Sequence, residues 1–259
     1  MERQQMVRRS ALALMVAAAG FAGQPAVAQS EPARVYAVIS LVGDSLRVVG
    51  DQASIGSKIS RNAVEDIPLQ FELVELPAVR SVAASLMKAD ATAKVAPVKI
   101  VDPAIYAAQA DFVVGDRVAL PAGIVDPLRG SPVTHLLLVT RYRSEALIKT
   151  GLQRLGSGRI EGLGMYLDRD MVLRVQGNSE VTTGYLAPYV YIRVSLIDMR
   201  TQKLLRSETV TDSWVYTPDG KTAGRDPWNI LSDREKITTI SQMLEKQLLA
   251  AVPKVLAQP

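Results

Sequence analysis

The sequence predicts a single domain of the α/β (mixed α+β) class: a twisted mixed sheet with an antiparallel C-terminal hairpin and helices packed on it. Three observations carry this. Residues 133–140, "VTHLLLVT", form a nearly continuous apolar run of strand length, the pattern of a central strand buried on both faces. Residues 189–198, "YVYIRVSLID", alternate with period two, and "RTQK" (200–203) turns the chain into a second arm through residue 216. Two segments carry apolar residues at helical spacing instead. Val79, Val82, Ala83, Leu86 and Met87 follow Pro77, and Ile237, Ile240, Leu244, Leu248, Ala251 and Val255 follow a Ser232/Glu235 capping box.

The remaining elements fall into place around these. Residues 35–41 and 45–50 read as two strands joined by Gly43-Asp44, a favoured hairpin link. Residues 51–66 are polar and aperiodic, as in a surface loop, and 97–101 read as a strand. Residues 103–130, punctuated by Pro103, Pro121, Pro127 and Gly130, read as short helices and turns. Further strands are expected at 158–168, 171–176 and 186–199. There is no internal repeat and no linker, so residues 29–259 are expected to fold as one domain.

Residues 1–28 read as a cleaved signal peptide. Arg3, Arg8 and Arg9 supply the positive start, "ALALMVAAAGFAG" the short apolar centre, and Ala26-Val27-Ala28 the small-residue cleavage site. The Arg8-Arg9 pair suits a twin-arginine signal or an ordinary one. The expected location is the periplasm. No later segment has the roughly 18 unbroken apolar residues that crossing a bilayer takes, so no transmembrane segment is expected in the mature chain. The chain has no cysteine, which excludes a cysteine-borne lipid anchor, disulfides, thiol catalysis and cysteine metal sites. The net charge of +4 shrinks to +2, 27 basic against 25 acidic side chains, once residues 1–28 are removed. With no block of five like charges, nucleic acid is an unsuited partner.

Several stretches carry possible chemistry. Gly43-Asp44-Ser45-Leu46 resembles the signature of the GDSL hydrolases, whose serine follows the first strand. That serine needs a histidine base oriented by a carboxylate. The chain has one histidine, His135, with Pro132 three residues before it where the family has an aspartate, and no histidine in its last 120 residues. No catalytic role is therefore assigned to Ser45, and His135 reads as a strand histidine satisfied by the backbone, because a metal needs several convergent ligands. The glycines of residues 155–164, "LGSGRIEGLG", depart from the dinucleotide spacing and precede a strand, so they read as places where strands bend or approach closely. Asp168 and Asp170 alternate on a strand and could offer oxygens to a hard cation, although a solvated turn is the commoner use. No metal and no cofactor is expected.

Of the 12 aromatic residues after the signal, eight lie from Tyr142 onward. Tyr189 and Tyr191 share one strand face, Trp214 and Tyr216 another, and Arg141 and Arg143 flank Tyr142. These six, Tyr189, Tyr191, Trp214, Tyr216, Arg141 and Arg143, are the candidate binding residues, as an aromatic platform for a glycan or an envelope protein. Stiffening of the hairpin is the alternative use of the rings. The expected function is binding or assembly in the envelope, with a carboxylate-using hydrolase as the rival.

Together, "THLLLVTRYR" (134–143), "GSGRIEGLGMYLD" (156–168) and "GYLAPYVYIRVSLIDM" (184–199), with "AVISLVGD" near the start, resemble a group of uncharacterised exported proteins from proteobacteria. That resemblance implies export but no activity. The order of strand, helix, "THLLLV" strand, "VSLIDMRTQKLLRSETV" hairpin and final helix is similar to the α/β domains of the curli secretion channel and of the Tol propeller protein, which implies a fold and not a job.

Overall fold

The computed structural model describes residues 34–51, 62–149, 154–174, 181–218 and 224–257; the expected signal peptide and its cleavage site lie outside them. Strands β1 (Val35–Ser40), β2 (Ser45–Gly50) and β3 (Ala63–Pro68) come first, then α1 (Glu75–Ala89) and β4 (Lys94–Pro97). Next come α2 (Pro103–Ala108), the β5 (Val113–Val114)/β6 (Arg117–Val118) hairpin, α3 (Ala122–Leu128) and β7 (His135–Arg141). Short β8 (Arg143–Glu145), β9 (Ile148–Lys149) and β10 (Arg154–Leu155) lead to β11 (Arg159–Arg174), β12 (Val181–Asp198), β13 (Lys203–Ser213) and α4 (Asp233–Leu256).

The main sheet is organised by β12. On one edge it pairs antiparallel with β13. Its other edge is shared: β7 pairs antiparallel with residues 192–198 and β11 with residues 181–191. The two strands meet there end to end. β1 lies parallel to β7, and β2 parallel to β11. β1 and β2 therefore run in the same direction, as two stretches of one interrupted strand.

This corrects the hairpin expected at Gly43-Asp44. The two strands never pair with each other; their outer partners are β4, parallel to β1, and β3, antiparallel to β2. The Leu41 N–H still donates to Val139 O at 2.9 Å, so the ladder runs one residue past β1 before the break. A glycine-aspartate pair between two apolar runs signals a departure from regular strand, but not its direction.

Alternation along the strands sorts side chains to two faces. One face is a single core: Val38, Leu137, Val139, Met165, Val190 and Ile192 pack against Val82 and Leu86 of α1 and Leu244 and Leu248 of α4. The other face is divided. Ala37, Ile39, Leu136 and Leu138 lie with Ile105, Val113 and Ile124, contributed by α2, β5 and α3. Val49, Tyr166, Tyr185, Tyr189 and Tyr191 lie with Ala146, Ile148 and Leu155 of the β8–β10 segment.

Other boundaries shift for local reasons. β3 occupies 63–68, where polar composition read as loop; it is an edge strand with mostly exposed side chains. β4 sits three residues earlier than expected. The strands expected at 158–168 and 171–176 are one strand with a bulge between Asp168 and Val172, where Asp168 Oδ1 accepts from the N–H groups of Asp170 (2.9 Å) and Met171 (2.8 Å). The α4 capping box is complete: Ser232 Oγ accepts from Glu235 N at 3.3 Å, and Glu235 Oε2 from Ser232 N at 2.7 Å.

Gly164 shows why one strand glycine is needed. A Cβ there would fall on the Arg47 carbonyl oxygen and on the hydroxyl end of Tyr189. Gly164→Ala is expected to cost about 1–3 kcal/mol, as overpacking does, read as a lower urea midpoint at unchanged slope. An unchanged midpoint would show that the ring and strand yield freely.

Candidate functional site: a mixed-charge cleft at the strand break

The cleft forms where β1 gives way to β2 and β7 gives way to β11. Its volume is about 510 Å³, between the β2–β3 edge and the α2 segment. Arg141 ends β7, and its guanidinium ion-pairs with Asp44 in the strand break and donates to Ser45 Oγ at 2.9 Å. Its backbone N–H donates to Gln109 Oε1 at 2.8 Å, while Gln109 Nε2 donates to Tyr106 O at 2.8 Å. Gly162, at φ +72°, leaves room for the stem of Arg141, which passes about 3.0 Å from where a Cβ would stand.

Across the cleft, Arg47 grips Asp66 with two bonds, Nε to Oδ1 at 2.8 Å and NH2 to Oδ2 at 2.9 Å, and reaches Glu161 Oε2 at 3.4 Å. The Arg47 hydrogen bonds hold the Asp66 carboxyl below the usual carboxylate range, and Asp66 in turn holds the guanidinium charged. Pro68, Pro103, Ala107 and Ala110 supply apolar wall, with Tyr106 beside them. Burial pushes the Tyr106 phenol up.

Two buried groups lie behind the lining. Glu75, the first residue of α1, is 1% exposed and accepts the Gly43 N–H at 2.8 Å. Burial pushes its carboxyl up, opposed by the hydrogen bond from the Gly43 N–H. Tyr189 is fully buried, and its hydroxyl, over Gly164 and so beside Arg47 on the neighbouring strand, has no hydrogen-bond partner. Burial pushes that phenol up as well.

This geometry offers no activated nucleophile. Ser45 Oγ accepts from a guanidinium, which draws electron density away from the oxygen. His135 sits at the opposite end of β7, about 20 Å away at strand rise. There its Nδ1 lies 2.8 Å from Thr134 Oγ1 and its ring 5.2 Å from that of Tyr36; burial pushes its pKa down.

The expected binding residues separate. Arg141 is in the cleft, and Arg143 is exposed on β8, opposite Glu161. Tyr189 and Tyr191 are inside, packed edge to face at 5.6 Å, with Tyr191 Oη accepting from Leu147 N at 2.9 Å. They form no surface platform, a correction with a simple cause: both faces of β12 are covered, so alternation there distinguishes two interiors. Trp214 is 63% exposed and Tyr216 half-buried, bridged to Leu186. Asp168 is buried in its bulge and Asp170 exposed. Among the described residues, no three or more His, Cys, Asp or Glu side chains converge as a metal site requires. Asp44, Arg47, Asp66, Glu75 and Glu161 were not expected in a site. Their one sequence signal is charge set into apolar context, as in "SLRVV" and "RIEGL".

No family model matches the chain, and no curated protein matches it. Among solved structures, a neuraminyllactose-binding hemagglutinin homolog from Helicobacter pylori aligns at 10% identity and TM-score 0.40, over 87% of this chain and 84% of that one. The protein XCC0632 from Xanthomonas campestris, of the DUF330 family, aligns at 11% identity and TM-score 0.37, over 90% and 88%. A PelC dodecamer from Paraburkholderia phytofirmans aligns at 12% identity and TM-score 0.26, over 86% and 84%. Likeness at this level carries no argument about function. None of these three is a curli channel or a Tol propeller protein, so that resemblance remains an expectation.

Glu75 gives the site a pH signature. A carboxyl raised by the fold withdraws stability as pH climbs from its ordinary value of 4.5 through the raised one. Glu75→Gln keeps an acceptor for Gly43 and removes the charge. Its melting temperature is expected to match the wild type near pH 4 and to exceed it at pH 8. A variant less stable than wild type at pH 8 would mean that the ionised carboxylate is the favoured form.

Proposed function

We propose that the chain is an exported envelope protein that acts by binding or assembly rather than catalysis, with the mixed-charge cleft as its recognition site. One observation supports this above others: every carboxylate lining the cleft is engaged by an arginine, Asp44 by Arg141 and Asp66 and Glu161 by Arg47. Acid–base catalysis needs a carboxyl free to exchange its proton near the working pH. Partnership with a permanent cation opposes that and favours fixed recognition geometry. The signal-like residues 1–28 support a periplasmic location. Among the described residues, no helix is long and apolar enough to cross a membrane.

A hydrolase reading has one observation behind it, the raised Glu75 beside Asp44, since environments that push two carboxyls apart can define an acid and a base. Glu75 is closed to substrate at 1% exposure, and its hydrogen bond to Gly43 accounts for its place.

Native mass spectrometry of the processed protein, residues 29–259, taken gently from its own envelope, tests the proposal. The expected result is a stoichiometric partner, ligand or self-assembly. Turnover of an ester or glycoside panel, abolished in a folded Asp66→Asn variant, would overturn it.

A further inference from the structure

We propose that the cleft takes a neutral, polyhydroxylated ligand, a stretch of uncharged glycan, in preference to an anion or a cation. This rests on the recognition reading of the cleft and names its ligand class.

The arrangement of charge selects the class. The lining interleaves two guanidinium groups with three carboxylates, each already partnered. An anionic ligand would compete with Asp44 or Asp66 for its arginine, and a cationic one would compete with the arginine. Either opens an existing ion pair, which costs most at Arg141–Asp44, where the side chains are 13% and 34% exposed. A neutral diol displaces nothing. A guanidinium has five N–H groups and a carboxylate about four lone-pair sites. Arg47 spends three donors on Asp66 and Glu161, and Arg141 spends its NH2 group on Asp44 and Ser45. Unspent donors and lone pairs remain on both partners of each pair, so adjacent hydroxyls can donate to a carboxylate and accept from its arginine partner.

Three further features fit a sugar. The polar groups are fixed before binding: the Arg141 backbone is tied to buried Gln109 and its stem lies on Gly162. Pro68, Pro103 and Ala107 give apolar wall for the C–H faces of a ring. The volume, about 510 Å³, lies within the range of small-molecule clefts.

Ligand-observed NMR and calorimetry with four soluble hexamers provide the test: glucose (maltohexaose), N-acetylglucosamine, galacturonate as the anion and glucosamine as the cation. At least one neutral hexamer is expected to bind. Its affinity should fall about tenfold in Glu161→Gln, a change that leaves the Arg47–Asp66 pair intact, with folding verified by an unchanged urea midpoint. Binding of neither neutral hexamer, tighter binding of a charged one, or undiminished affinity in Glu161→Gln would overturn the proposal. A charged winner would overturn the ligand class while leaving recognition in place; cleavage of any hexamer would overturn recognition itself.

Discussion

Eighteen residues of extended chain, Val181–Asp198, set the geometry of the rest. Every backbone donor and acceptor in a buried strand must find a partner. β12 meets that demand with β13 on one edge and with two successive strands on the other. Because β7 and β11 meet end to end, the strand beyond them must break as well, and β1 becomes β2 across residues 41–44. The groups freed at the break are then satisfied one by one: Leu41 N–H by Val139 O, Tyr142 N–H by Tyr191 O, and Gly43 N–H by the buried Glu75. Arg141, Asp44 and Ser45 are brought together by the same discontinuity.

The division of the second face follows from it too. The face under α1 and α4 is one apolar core, while the opposite face has two apolar clusters. Polar residues interrupt it. Arg193 donates to Val113 O at 2.6 Å and lies 5.3 Å from the Tyr142 ring, and Thr140 and Ser195 are buried nearby on paired strands. Here the polar composition leaves a cleft whose hydrogen-bonding groups are held in place from several directions.

How much of this the sequence disclosed follows from the range of each interaction. The capping box of α4, the buried run of β7 and the turn at residues 200–203 are local patterns, and the structure has all three. The shared edge of β12 was hidden, because it depends on contacts between chain segments far apart, such as Arg141 with Asp44, 97 residues earlier. The Gly43-Asp44 break was visible as a break and wrong in its direction. Tyr189 and Tyr191 read as surface residues because alternation cannot reveal a second covered face; the short β8–β10 strands that cover it leave almost no periodic signal. Arg141 was found for its neighbour Tyr142, yet its partners are Asp44 and Ser45. Arg47, Asp66 and Glu161 become a site only through pairing of β2 with β3 and β11.

The central claim is that the Arg141–Asp44 pair fastens the strand break rather than decorating it. Side-chain exposures of 13% and 34% place the pair between buried and surface behaviour. A double-mutant cycle with Asp44→Ala and Arg141→Ala, followed by urea unfolding, measures the coupling directly. A fastened break predicts coupling above about 1.5 kcal/mol, beyond the 0.2–1 kcal/mol typical of exposed pairs. Coupling below about 0.5 kcal/mol, with additive single losses, would contradict it.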